Sequence, residues 1–154
     1  MTLIEDTRQQ ARKHENKRSY FEQEKIRVIR SKLPIGDYAL INDMSVVVDT
    51  KKDIQEIIGN VTQEHARFVS ECRLALDNGI KLVVLIEDKN VKCIDDLNQW
   101  KNPRLKRSPK ATTGATLAKI LSSIERNHGA EFQFCTKEEC GKRIIEILTR
   151  GKGV

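Results

Sequence analysis

The stretch GDYALINDMSVVVDTKKD, residues 36–53, reads as two strands joined by a turn. GDYAL enters, Asn42-Asp43 punctuates, and the apolar run Val46-Val47-Val48 leaves and ends in Asp49-Thr50-Lys51. Side chains alternate along a strand, so the spacing predicts Asp49 and Lys51 on one face and Thr50 on the other. Pairing of the two strands as a hairpin would bring Asp37 close to the first of these faces. Two carboxylates and one ammonium then converge at the end of a buried strand, which makes Asp37, Asp49 and Lys51 the candidate site.

Working outward, the period changes from two to 3.6 after Lys52. Ile54, Ile57, Ile58, Val61, His65, Phe68, Cys72, Ala75 and Leu76 form one helical stripe. Asp53 is a natural N-cap with Glu56 in capping-box position, and Asn78-Gly79 ends the helix. Gly59 in its middle costs about 1 kcal/mol against alanine. Asn60, Glu64, Arg67 and Glu71 share a flanking face that borders the core and could look toward the acidic cluster. Lys81 to Glu87, KLVVLIE, is a continuous apolar run, the mark of a central strand covered on both sides. A helix between two such strands predicts a crossover and a parallel pair.

Before the hairpin, Thr2 to Thr7 predicts a first or edge strand ending at Asp6. Arg12 to Glu24 predicts a mostly exposed helix whose basic half, Arg12, Lys13, Lys17 and Arg18, is either a solvated face or a nucleic-acid contact. Lys25 to Arg30 predicts a strand. After the central strand, Ile94 to Trp100 predicts a helical turn. Lys101 to Lys110, KNPRLKRSPK, holds two prolines and five basic residues and reads as a loop. Its cations, Lys101, Arg104, Lys106, Arg107 and Lys110, are either solvated or placed to meet a phosphate backbone. Ala115 to Asn127 and Lys137 to Thr149 predict helices, with Glu131 to Cys135 a strand between them. The order of elements predicts a single α/β domain over residues 1–154, a mixed sheet flanked by helices.

Composition bounds the function. With 154 residues, 38% hydrophobic and 32% charged, the chain suits one folded domain rather than a disordered or membrane protein. No run approaches the roughly 20 apolar residues of a membrane span, and the N-terminus lacks the apolar core of a signal peptide. Four cysteines without CxxC spacing fit reduced thiols in an intracellular setting. A net charge of +6 suits a polyanionic partner.

An acid-x-Lys on a strand with a separate Asp on its neighbour is the pattern of the PD-(D/E)XK nuclease superfamily. Alone the tripeptide is weak, and a surface salt bridge explains it equally well. Gly36-Asp37 followed by Asp49-Thr50-Lys51 resembles the XPF-type nuclease domain, whose motif runs Gly-Asp, a spacer, then Glu-Arg-Lys. Asp6-Thr7-Arg8-Gln9 resembles that family's Asp-x-Arg-Glu, and RFVSEC, LVVLIE and RNHGAEFQF continue the likeness in order. The departures are Asp49 for Glu, Thr50 for Arg, Gln9 for Glu, and Gln55 where the family has an Asp.

The resemblance implies a restriction-endonuclease-like fold in a small stand-alone version, as in phage or mobile elements. It implies a metal-dependent endonuclease acting on branched or flapped DNA in repair, recombination or replication. Asp6, Asp37 and Asp49 would then bind Mg²⁺ or Mn²⁺ and Lys51 would assist the attacking water. Arg8 would meet phosphate or the acidic cluster, with Arg67 and Glu71 supporting from behind. The family's usual helix-hairpin-helix module has no counterpart here. The basic helix, the 101–110 loop, a second copy of the chain or another protein is left to grip DNA. The rival readings are a DNA-binding subunit without activity and an unrelated α/β protein with ordinary salt bridges at its strand ends.

Overall fold

The computed structural model describes residues 1–9 and 15–150. The strands are β1 (Thr2–Glu5), β2 (Arg27–Arg30), β3 (Tyr38–Leu40), β4 (Asp43–Lys51), β5 (Lys81–Glu87) and β6 (Glu131–Cys135). They form one six-stranded sheet in the order β2-β1-β3-β4-β5-β6. β1 runs parallel to β2 and antiparallel to β3, β3 and β4 form the antiparallel hairpin, and β4, β5 and β6 are parallel. The α/β mixed sheet flanked by helices is thus the architecture found. β1, the first strand, lies inside the sheet because β2 adds to its free side, and β5 lies between β4 and β6.

Burial explains why β5 is apolar throughout. Leu82, Val84 and Ile86 face one core together with Ile57 and Val61 from α2 (Ile54–Val61) and Phe68, Cys72 and Ala75 from α3 (His65–Asp77). Leu117, Leu121 and Ile124 from α4 (Gly114–His128) complete that layer. Val83 and Leu85 face the other core. There they meet Phe21 from α1 (Glu15–Gln23) and Ile144, Ile147 and Leu148 from α5 (Cys140–Thr149). Alternation by one residue feeds both layers, so a polar residue anywhere along this strand would be desolvated.

The helix expected between β4 and β5 is interrupted. α2 ends at Val61 and α3 starts at His65, with Thr62 capping by donating its N–H to the Ile58 carbonyl at 3.0 Å. The Thr62 hydroxyl donates to the same carbonyl at 2.6 Å. Gly59, β-branched Val61 and this side-chain bond together weaken the last turn enough for the chain to bend. The break separates Asn60 on α2 from Glu64, Arg67 and Glu71, which cap or belong to α3, so the polar stripe is not one continuous helix face. Asp53 caps α2 as expected, accepting from the Glu56 N–H at 2.8 Å, while Glu56 accepts from Lys52 N–H at 2.9 Å. The segment before α5 is a turn held by Thr136 and Glu139, so that helix starts three residues later than expected.

Two further features moor the hairpin. Glu5, fully buried, accepts from Tyr38 Oη at 2.8 Å and Arg30 Nη1 at 2.6 Å, with Arg18 Nη2 at 3.5 Å. One carboxylate thereby ties β1 to β2, β3 and α1. Gly36 has φ +73°, and a Cβ there would stand 2.2 Å from Val47 Cγ1 and 3.2 Å from the Val48 carbonyl. Both the backbone conformation and the close approach require glycine. Gly36→Ala is therefore expected to destabilise the fold by roughly 2–4 kcal/mol, read as a lower urea midpoint at unchanged m-value.

Candidate active site

β4 and β5 are parallel, so their C-terminal ends open on the same side of the sheet, where ligands of open α/β sheets bind. The end of β4 carries Asp49, Thr50 and Lys51, and the end of β5 carries Glu87. A cleft of about 730 Å³ opens there. Its walls include Asp37, Asp49, Thr50, Lys51, Lys52, Glu56, Glu71 and Glu87, together with Arg8, Lys17 and Lys137.

Asp37 stands one residue before β3 begins. At that point the β3–β4 ladder has ended and Thr50 N–H has no strand partner. The Asp37 carboxylate takes its place, Oδ2 accepting from Thr50 N at 2.8 Å and from Thr50 Oγ1 at 3.0 Å. The Thr50 hydroxyl thereby helps orient Asp37. Asp37 N–H in turn donates to the Val48 carbonyl at 2.8 Å, so backbone and side chain of Asp37 both fasten to β4.

Asp49 and Lys51 share one face, with Lys51 Nζ 3.0 Å from Asp49 Oδ2. Burial, followed by the neighbouring charge of Asp37, drives the Asp49 carboxyl well above the ordinary carboxylate range, and Lys51 only partly opposes this. Burial alone would lower the Lys51 amine, yet Asp49, Glu56 and Asp37 raise it, so it stays protonated. The arrangement is two crowded carboxylates beside one ammonium in a half-dry cleft.

Asp6 is placed otherwise than expected. Its backbone N–H donates to the Asp37 carbonyl at 2.8 Å, which puts the two residues side by side. Its fully buried carboxylate, however, accepts from Arg8 N at 2.7 Å, Arg8 Nε at 3.0 Å, Arg8 Nη2 at 2.7 Å and Leu33 N at 3.0 Å. These four bonds use its oxygens, and it does not line the cleft. Arg8 does, held by Asp6 and by the Leu33 carbonyl at 3.1 Å, with its charge felt by Asp37 and Glu71. Glu71 reaches the cleft from α3, while Arg67, highly exposed, pairs with Glu64 and does not line it.

Of the cations expected to meet nucleic acid, Arg12 and Lys13 lie outside the described residues. Lys17 is buried rather than exposed, its Nζ 3.4 Å from Glu87 Oε2, and Arg18 is engaged by Glu5. The helix face expected to be solvated thus supplies ion pairs to the sheet. Lys101, Arg104, Lys106, Arg107 and Lys110 are exposed on the segment that follows the 3-10 turn Ile94–Gln99; it is not all loop as expected, because Asn102 caps a second 3-10 turn over Pro103–Lys106. Sequence reasoning missed Glu87, and it read Lys17 as a solvated or nucleic-acid contact rather than as part of the cleft wall. Glu87 could have been found, because it ends an apolar strand predicted parallel to β4 and so must share its end of the sheet.

The cleft's chemistry suits a hard divalent cation. Asp37 and Asp49 repel, one of them desolvated, and a positive ion between them would relieve both costs. Among the described residues no group of three or more His, Cys, Asp or Glu side chains is close enough to cage a metal by itself. A Mg²⁺-type ion does not require one, since it commonly keeps several waters and takes one or two carboxylates plus phosphate oxygens.

Fold and cleft together define a restriction-endonuclease-like α/β domain with an Asp, Asp-x-Lys constellation at its parallel strand ends. Residues 6–148 match the family model described as the ERCC4 domain, and the chain belongs to that family. Two solved structures show the same fold. "XPF from Aeropyrum pernix" matches with a TM-score of 0.67 at 16% identity, over 97% of this chain and 64% of that one. "XPF from Aeropyrum pernix, complex with DNA" matches with a TM-score of 0.66 at 16% identity, over 96% of this chain and 62% of that one. The chain thus spans less than two thirds of the length of each. No curated protein sequence matches it. Among the described residues no helix is long and apolar enough to cross a membrane.

Two measurements check this electrostatic reading. Burial would raise the Asp6 carboxyl, but its bonds to Arg8 and Leu33 hold it down at about 2, against 3.8 ordinarily. A depressed acid contributes stability above its unfolded value and loses it as pH falls through the folded one. Allowing for the exposure of Arg8, the Asp6 clamp is expected to contribute roughly 1–2 kcal/mol at pH 6 and nearly nothing at pH 2. Asp6→Asn should accordingly flatten the acid limb of a stability–pH curve. Asp49 has the opposite sign: its charge opposes folding. In cation-free buffer at pH 7, Asp49→Asn is expected to raise stability by about 1 kcal/mol, which urea unfolding reads directly; a loss of stability would show that the Lys51 pair outweighs the burial.

Proposed function

We propose that this chain is a metal-dependent DNA endonuclease domain that hydrolyses phosphodiester bonds in branched or flapped DNA. The observation that carries the reading is Asp37 fastened to Thr50 beside the buried Asp49–Lys51 pair. Membership of the ERCC4 domain family and the shared XPF fold support a nuclease-like, DNA-processing role. One of the two structural relatives is a complex with DNA, which supports DNA as the partner.

In this reading Asp37 and Asp49 hold Mg²⁺ or Mn²⁺, which when bound supplies charge neutralisation at the phosphate and a more acidic water. The remaining work falls to the chain. Thr50 keeps one oxygen of Asp37 occupied and so fixes the orientation of the carboxylate. Lys51, held protonated, acts as a donor that orients the water or stabilises charge growing on the phosphate, rather than as a free base. Arg8, fixed by Asp6, offers its outer N–H groups to a phosphate at the cleft edge, and this is the part we assign to Asp6 in place of direct metal binding. Glu71 adds negative charge behind Asp49. Junction preference and any pairing with a second copy or another protein belong to the same proposal.

A second reading, a DNA-binding subunit without activity, is favoured by Asp6 being withdrawn from the cleft. Labelled flap, fork and linear DNA incubated with Mg²⁺, Mn²⁺ or EDTA separate the two. Cleavage only with metal, reduced at least about 10³-fold by Asp37→Asn and by Lys51→Ala, is the expected result. Binding without cutting under every metal would establish the inactive subunit instead.

A further inference from the structure

Asn102 is a polar side chain only 3% exposed, at the N-cap of the 3-10 turn Pro103–Lys106 where the basic segment begins. Burying an amide is costly unless its groups are bonded, and here they are. Its Oδ1 accepts from Gln55 Nε2 at 2.7 Å and from Arg104 N at 3.0 Å, and its Nδ2 donates to the Thr112 carbonyl at 2.8 Å. The bond to Thr112 stitches the neck of the segment 102–112, closing it as a compact loop. The bond to Gln55 fastens that neck to the first turn of α2, four residues after Lys51 and next to Glu56 in the cleft wall. The loop cannot slide past its base either: a Cβ on Gly114 would lie 1.9 Å from the Leu97 carbonyl oxygen and 2.6 Å from that of Trp100. Beyond this anchored neck the loop displays four cations, Arg104, Lys106, Arg107 and Lys110, with Lys101 just before it, none paired with an acidic side chain among the described residues.

We infer that the Gln55–Asn102 bond is a positioning device that holds the Lys101–Lys110 loop as a rigid phosphate-binding rail at a fixed offset from Asp49 and Lys51, so that it sets where the DNA strand is cut. The inference rests on the nuclease reading and deepens it. Gln55 stands where the resembling family has an acid. An acid in the present geometry would face the Asn102 carbonyl oxygen, whereas the amide donates to it. A mobile basic loop would contact phosphates too, but each contact would cost the ordering of the loop. Mooring it in advance removes that cost and fixes register with the cleft.

The test uses Gln55→Ala, Gln55→Glu and the triple variant Arg104→Ala/Lys106→Ala/Arg107→Ala in the full chain. DNA affinity and its salt dependence are measured with Ca²⁺ in place of Mg²⁺. Cut positions are mapped with Mg²⁺ on an end-labelled flap. Gln55→Ala keeps every loop charge, so the slope of log K against log salt should stay at the wild-type value. Affinity should fall about 3- to 10-fold and the cut positions should spread. Gln55→Glu should behave likewise or worse. The triple variant should lower the slope by roughly 2–3. Wild-type affinity with an unspread cut pattern in both Gln55 variants would overturn the inference alone, as would an unchanged slope in the triple variant. A wild-type chain that neither binds nor cuts would overturn the nuclease reading and this inference with it.

Discussion

Burial of β4 is the constraint on which the site depends. Val47 and Val48 are desolvated on opposite faces between β3 and β5, and Asp49 follows them into the same dry layer. A strand so placed can carry charge only where it emerges, which concentrates the chemistry of the chain at one end. Register does the rest. The parallel pairing of β4 and β5 sets Lys51 opposite Ile86, so the next residue of β5, Glu87, emerges beside it. The β3–β4 ladder stops at Tyr38, leaving Thr50 N–H for Asp37. The site is what remains after the sheet has used every apolar position.

This accounts for what could be read in advance. The apolar run Val46–Val48, the run Leu82–Ile86 and the 3.6-residue stripe between them follow from burial alone, and burial has a period. Hairpin, crossover, parallel pair and the shared face of Asp49 and Lys51 come from it. What could not be read depends on side chains meeting through space at places where periodicity ends. Asp6 looked free because nothing in a one-dimensional pattern places the Leu33 amide against it. Lys17 looked solvated because the partner that buries it, Glu87, lies 70 positions along the chain. The break after Val61 turns on the hydroxyl of Thr62, a local competition that an apolar stripe does not register.

The departures from the family motif have physical readings. Thr50, shorter than an arginine, cannot reach out of the cleft, yet its hydroxyl and amide both serve Asp37. Gln55 replaces an acid with a donor and thereby gains Asn102. In each case a charged residue has given way to a neutral one that hydrogen-bonds within the chain. The substitutions shift the site toward internal anchoring and leave the carboxylates, lysine and strand ends in place.

A net charge of +6 would by itself make attraction of a polyanion trivial, but the cleft does not share it. Six acids line it against five bases, and three of those cations are committed: Lys51 to Asp49, Lys17 to Glu87, Arg8 to Asp6. A phosphate approaching the carboxylates directly would be repelled until a cation was in place. A cluster of unpaired positive charge lies instead on the loop beyond Asn102. Attraction and chemistry are therefore separated in space, and only a rigid link between them lets binding at one dictate geometry at the other. With Debye screening near 10 Å at moderate salt, cations further away could not do this work by field alone. On the proposed reading the loop would touch the DNA strand, and a loop that touches must be held.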